Sequence, residues 1–110
     1  MSPRNAAAVV LALAAACVSA TDLPDRPPSE DGFVISVSPT TVHIRAASDQ
    51  CGIIFSVDDD TRILLKRENG TIIEVTLAIV TAGRRAQGWA SGPIAESCPA
   101  QAGAAVIMIL

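Results

Sequence analysis

Histidine occurs once in these 110 residues, tyrosine not at all, and the aromatics stop at Phe33, Phe55 and Trp89. A single imidazole at His43 cannot supply a His-based zinc set, and no Gly-x-Ser-x-Gly elbow provides a nucleophile for it to activate. On a strand flanked by Val42 and Ile44, His43 is expected to face solvent. So few aromatics leave no platform for stacking successive bases. Nor is there a basic excess. The formal charge is -3, and residues 33–110 hold seven acids against six bases, which excludes nucleic-acid binding by phosphate neutralisation. No apolar run reaches the roughly 18 residues of a membrane span. The triplet Asp58-Asp59-Asp60 lacks the alternating ligands and glycine of a calcium loop and reads as a solvated turn. Gly83-Arg84-Arg85-Ala86-Gln87-Gly88 lacks the Gly-Lys-Ser/Thr ending of a phosphate loop. The sequence thus gives no reason to expect a metal, a cofactor or catalysis.

What is present begins with an address. Arg4, an apolar run from Ala6 to Cys17 and the small-residue exit Val18-Ser19-Ala20 have the layout of a secretory signal peptide, residues 1–20. Cleavage after Ala20 would release a soluble chain. The stretch Leu13-Ala14-Ala15-Ala16-Cys17 also resembles a bacterial lipobox, which would end the signal at residue 16 and place a lipid on Cys17. It departs from that pattern at Ala14, where leucine is commoner. Either route implies an extracytoplasmic protein, in a bacterial periplasm or envelope or otherwise secreted, and the second adds a membrane tether.

Three cysteines are an odd number for an exported chain. With Cys17 lipidated or removed, Cys51 and Cys98 remain as a pair in a compartment that permits disulfides, and a bridge between them is expected. A domain of this size has a marginal core and gains from such a constraint. Residues 21–32 contain three prolines, four acids and one isolated large apolar residue, so they are expected to form a disordered linker.

Residues 33–110 read as one β domain. Phe33, Ile35 and Val37 alternate with Val34, Ser36 and Ser38; beyond Pro39, Val42, Ile44 and Ala46 alternate with His43 and Arg45. Cys51, Ile53, Phe55 and Val57 share one face of a third strand, which the turn Asp58–Thr61 ends. Asn69-Gly70 separates two β-rich runs and predicts a two-residue hairpin loop, with Leu64 opposite Val75, Leu65 opposite Glu74 and Lys66 opposite Ile73. Residues 81–103 read as a long glycine-rich loop with a short strand around Arg85 to Ala90. The apolar run Ala104–Leu110 reads as a strand buried on both faces, which must pair internally or with another chain.

No segment beyond the signal has a helical period, so the fold class is all-β: a small antiparallel sandwich or a small barrel. The run Ile35-Ser36-Val37-Ser38-Pro39-Thr40-Thr41-Val42 resembles the proline-broken first strand of immunoglobulin-like sandwiches. Loops on a rigid β scaffold suit recognition, so the expectation is a non-enzymatic envelope or periplasmic binding or accessory module with a protein partner. The alternatives are a disulfide-stapled inhibitor of an extracytoplasmic enzyme and, less favoured, a strand-exchanging pilus-like subunit. The expected partner-binding residues are Trp89, Arg84, Arg85 and Gln87, since Trp and Arg are enriched at hot spots. A competing role for Trp89 is a lid on one end of the core.

Overall fold

Alternating apolar residues punctuated by Pro, Gly and Asp turns fold into seven strands: β1 (Glu30–Val37), β2 (Thr41–Arg45), β3 (Ile53–Ser56), β4 (Arg62–Lys66), β5 (Ile72–Glu74), β6 (Arg85–Ala90) and β7 (Ala100–Ile109). They come from a computed structural model that describes residues 22–110; the expected signal peptide and Cys17 lie outside the described residues. The only helical element among these is a single 3-10 turn, Leu77–Ile79. None of the described helices is long and apolar enough to cross a membrane.

The strands run in the order β3-β2-β1-β6-β7-β4-β5, and β3 also pairs with β7. That extra pairing closes β1, β2, β3, β7 and β6 into a five-stranded barrel, with the hairpin β4–β5 added along β7. β7 is the hub of the sheet. One of its edges runs antiparallel to β6; its other edge is parallel to β3 over Ala100–Gly103 and to β4 over Val106–Ile109. The apolar run therefore pairs internally, and Val106, Ile107, Met108 and Ile109 are all buried.

Two apolar clusters account for this burial on both faces. Inside the ring, Val34, Val42, Ile44, Phe55, Ile107 and Ile109 pack together; on the opposite face of β4, β6 and β7, Leu64, Trp89, Val106 and Met108 form a second cluster. The ring is narrow enough that one aromatic fills much of it. A Cβ at Gly88 would lie 2.6 Å from the Phe55 ring, so the residue opposite that ring has to be glycine.

Cys51 and Cys98 are bridged, with their Cα atoms 5.0 Å apart and a sequence separation of 47. The parallel pair that closes the barrel has the same offset, Ile53 opposite Ala100. The disulfide thus continues the β3–β7 ladder two residues upstream and staples the seam in register.

Three sequence expectations need correction. The linker does not extend to residue 32, because Glu30, Asp31 and Gly32 already belong to β1 and pair with Gly88, Gln87 and Ala86. The residues before them are tied down as well. Arg26 donates to the Ala90 carbonyl, the Ser29 amide to the Gly88 carbonyl, and the Ala90 amide to the Ser29 hydroxyl. The hairpin register is also shifted by one: Leu64 faces Glu74, Leu65 faces Ile73 and Lys66 faces Ile72. Arg67 pairs with Thr71 through a 2.8 Å amide bond, leaving a three-residue loop, Glu68-Asn69-Gly70, with Gly70 at φ +88°. Three-residue hairpin loops commonly place a left-handed residue at the third position, and it is there that glycine is required.

Candidate binding face

β1 carries its bulkier side chains outward. Glu30, Gly32 and Val34 are buried, whereas Phe33 is 47% exposed, Ile35 38% and Val37 36%. Ile35 is the extra residue of a bulge, since Val34 lies opposite Ile44 and Ser36 opposite His43. Such a bulge bends the strand and tends to re-aim its side chains.

Directly opposed residues of an antiparallel pair share a face, with Cβ atoms about 4.5 to 5.5 Å apart. Phe33 lies opposite Arg45 on β2 and opposite Arg85 on β6. An exposed phenyl ring therefore sits between two exposed arginines on the outer wall of the barrel. One row along, Asp31 lies opposite Gln87; its carboxylate accepts from Gln87 Nε2 at 3.1 Å and meets the Arg85 guanidinium at 3.5 Å. On the other side of the phenyl row, Ser36, His43, Ile54 and Gln101 continue the surface across β1, β2, β3 and β7. His43 points outward as expected, although it is half-buried and its Nε2 is 2.8 Å from the Cys51 carbonyl oxygen.

Of the four residues expected to bind a partner, Arg85 and Gln87 lie on this face. Arg84 lies just before β6, where its guanidinium donates to the Leu110 carbonyl at 3.2 Å. Trp89 does not reach the surface. It is a β6 residue, 3% exposed, and its Nε1 donates to the Arg26 carbonyl at 2.8 Å, so residues 26–29 are strapped across β6 beside it. The indole is enclosed between this strap and the cluster of Leu64, Val106 and Met108.

Sequence reasoning missed Phe33 and Arg45 as surface partners. The available signal was β2 itself: once Val42 and Ile44 are turned inward, the residue opposite Arg45 must face outward.

Behind β1 lies a second feature that the sequence did not reveal, a buried carboxylate. Glu30 is 9% exposed and its Oε2 accepts from the Ala46 amide at 2.9 Å. Burial raises its pKa above the ordinary carboxylate value; the Ala46 bond opposes this and the neighbouring Asp49 carboxylate adds to it. Asp49 moves the other way, held down chiefly by the amides of Cys51 and Gly52. Together the two acids brace the 46–51 loop that delivers Cys51 to its partner.

Elsewhere, Asp58–Thr61 is a closed turn. The Thr61 amide donates to the Asp58 carbonyl, the Asp60 amide to Asp58 Oδ1, and the Thr61 hydroxyl to the Ala104 carbonyl. Among the described residues no three His, Cys, Asp or Glu side chains converge to hold a metal ion. No family model, curated protein or solved structure matches this chain.

Proposed function

We propose that this chain is an exported binding module that captures a protein partner on the outer face of β1, with Phe33 as the anchor. The observation that carries the reading is the 47% exposed phenyl ring set between Arg45 and Arg85 on a disulfide-stapled barrel. Aromatic and arginine side chains are the types enriched at interface cores and hot spots. Charge complementarity favours a partner that presents an apolar side chain flanked by carboxylates. Export to a periplasm or envelope follows from the signal-like residues 1–20 and accords with a disulfide, while a lipid on Cys17 would hold the barrel at a membrane.

The test compares wild type, Phe33→Ser and Arg45→Glu, each immobilised and exposed to the extracytoplasmic fraction of the source cells. A protein retained by wild type and lost by both variants, at unchanged melting temperature, is the expected result. Equal retention by all three overturns the assignment.

A second reading, an inhibitor of an extracytoplasmic enzyme, is favoured by the loop between β6 and β7. That loop is clamped at its base by Cys98 and by the paired Ala95 and Gln101 backbones, and it presents Ile94 at 39% exposure. Loss of a hydrolase's activity on adding wild type, but not Ile94→Asp, would favour it over the β1 face.

A further inference from the structure

A sheet that closes into a ring hides its edges, and among the described residues this one leaves a single strand with an open side. β1, β2, β3, β4, β6 and β7 each pair on both sides, whereas β5 pairs with β4 alone. The Arg67 amide bonds to the Thr71 carbonyl and the Val75 amide to the Ile63 carbonyl, so the main-chain groups of residues 71, 73 and 75 point at β4. Those of Ile72 and Glu74 alternate with them and point away from the sheet, with no described strand beside them. The edge has few of the guards that keep open strands apart. Thr71-Ile72-Ile73-Glu74-Val75-Thr76 contains no proline and no lysine, and Glu74 is its one charge.

We infer that this edge pairs with the same edge of a second copy, antiparallel about a two-fold axis at Ile73. Other two-fold registers that join the outward groups carry a fault. One centred on Ile72 sets Glu74 against Gly70, whose φ of +88° takes it out of the strand. One centred on Glu74 sets the two carboxylates directly opposite each other, which is destabilising. The register centred on Ile73 avoids both, and Ile72 and Glu74 of each copy exchange main-chain bonds with Glu74 and Ile72 of the other. Lys66 lies opposite Ile72 in the hairpin, so the row across the junction reads Lys66, Ile72, then Glu74 and Leu64 of the second copy. Opposite charges thus flank each Ile72, and symmetry supplies the pair twice. Within one copy neither Lys66 nor Glu74 has an ion-pair partner among the described residues. On the other face the half-buried Leu65 and Ile73 run into Ile73 and Leu65 of the second copy as one apolar row. This edge shares no residue with the β1 face, so either assignment can fail without the other.

Sedimentation velocity on the full chain carrying Cys17→Ala, which cannot be cross-linked through that thiol, tests the pairing. A short strand pair belongs with weak, transient interfaces, so the mass should rise from one copy to two with a midpoint at roughly 100 μM. Glu74→Pro removes an amide hydrogen that points outward, at a place where an edge strand tolerates proline, and should keep the chain single throughout. Glu74→Lys should raise the midpoint about tenfold, since attraction across Ile72 becomes repulsion. Lys66→Glu combined with Glu74→Lys should bring it back. A chain that stays single well above the expected midpoint overturns the inference and leaves the edge to an extended segment of another protein. So does a mass that climbs past two copies, a dimer that persists in Glu74→Pro, or a charge exchange that fails to restore pairing.

Discussion

At the residue scale, the burial of Trp89 and of Glu30 makes two separate demands on stability. Trp89 is sealed against Val106 and Met108, with its indole N–H bonded to Arg26. Trp89→Ala should lower the unfolding free energy in a denaturant titration by about 3 to 5 kcal/mol, as expected for emptying an aromatic site. Trp89→Phe, which keeps a ring and loses the hydrogen bond, should cost about 1 kcal/mol more than its smaller ring accounts for. Glu30 makes a prediction about pH. Because its carboxyl is raised in the folded state, the native chain holds that proton more tightly than the unfolded chain does. Its contribution to stability is therefore greatest at low pH and declines as pH rises from the ordinary carboxylate range through the raised value. Asp49, held low, has the opposite sign and loses its contribution as pH falls below that range. Glu30→Gln preserves an acceptor for the Ala46 amide and cannot ionise. Its melting temperature relative to wild type should increase between about pH 4 and pH 7. A constant difference across that interval would show that the burial of Glu30 carries no proton linkage.

At the element scale, β7 carries the structure. Val106 to Ile109 touch both apolar clusters, and each large side chain removed from water contributes about 1.5 to 3 kcal/mol. A chain ending at Ala105 should show no cooperative thermal transition by circular dichroism, since the loss approaches the whole net stability of a small domain. This element was legible because an unbroken apolar run admits no exposed face. β2, β3 and the Asp58–Thr61 turn were legible for a similar reason, with alternation and turn chemistry agreeing. β1 was legible only from Phe33 onward, and its alternation did not say which row faces the core, where the barrel is tight at that wall. A Cβ at Gly32 would fall 2.1 Å from the Arg45 carbonyl oxygen, so the inward row there is Glu30, Gly32 and Val34. The first residues of β1 looked like linker because acids and prolines dominate the composition. Their pairing rests on backbone bonds and on one carboxylate that meets an amide 16 residues away, which no local pattern reports. The hairpin was found but misaligned, since Asn-Gly serves two loop lengths and the sequence does not say whether Glu68 belongs to the strand or to the turn. The candidate face shares the fate of β1. Its arginines were visible individually, and only the register places Arg45 and Arg85 on either side of Phe33.

For the whole molecule, the seam between β3 and β7 joins residues far apart in the chain, and the disulfide fixes it. Replacing both Cys51 and Cys98 by alanine should lower the unfolding free energy by about 4 kcal/mol, the chain-entropy value for a loop of this length. A loss under about 1 kcal/mol would mean that the unfolded chain is already confined without the bridge. The covalent link also has a topological consequence. From Cys51 to Cys98 the protein is a closed macrocycle that contains β3, β4, β5 and β6 and every turn between them. A protease that cuts once at the exposed Glu68–Gly70 tip, or once within the exposed 91–97 loop, opens the ring without dividing the molecule. Both new ends remain attached to the barrel, and the mass rises by one water. Fragments separate only on reduction. In an oxidising compartment rich in proteases, the chain could thus be nicked at its most accessible turns and remain a single covalent body.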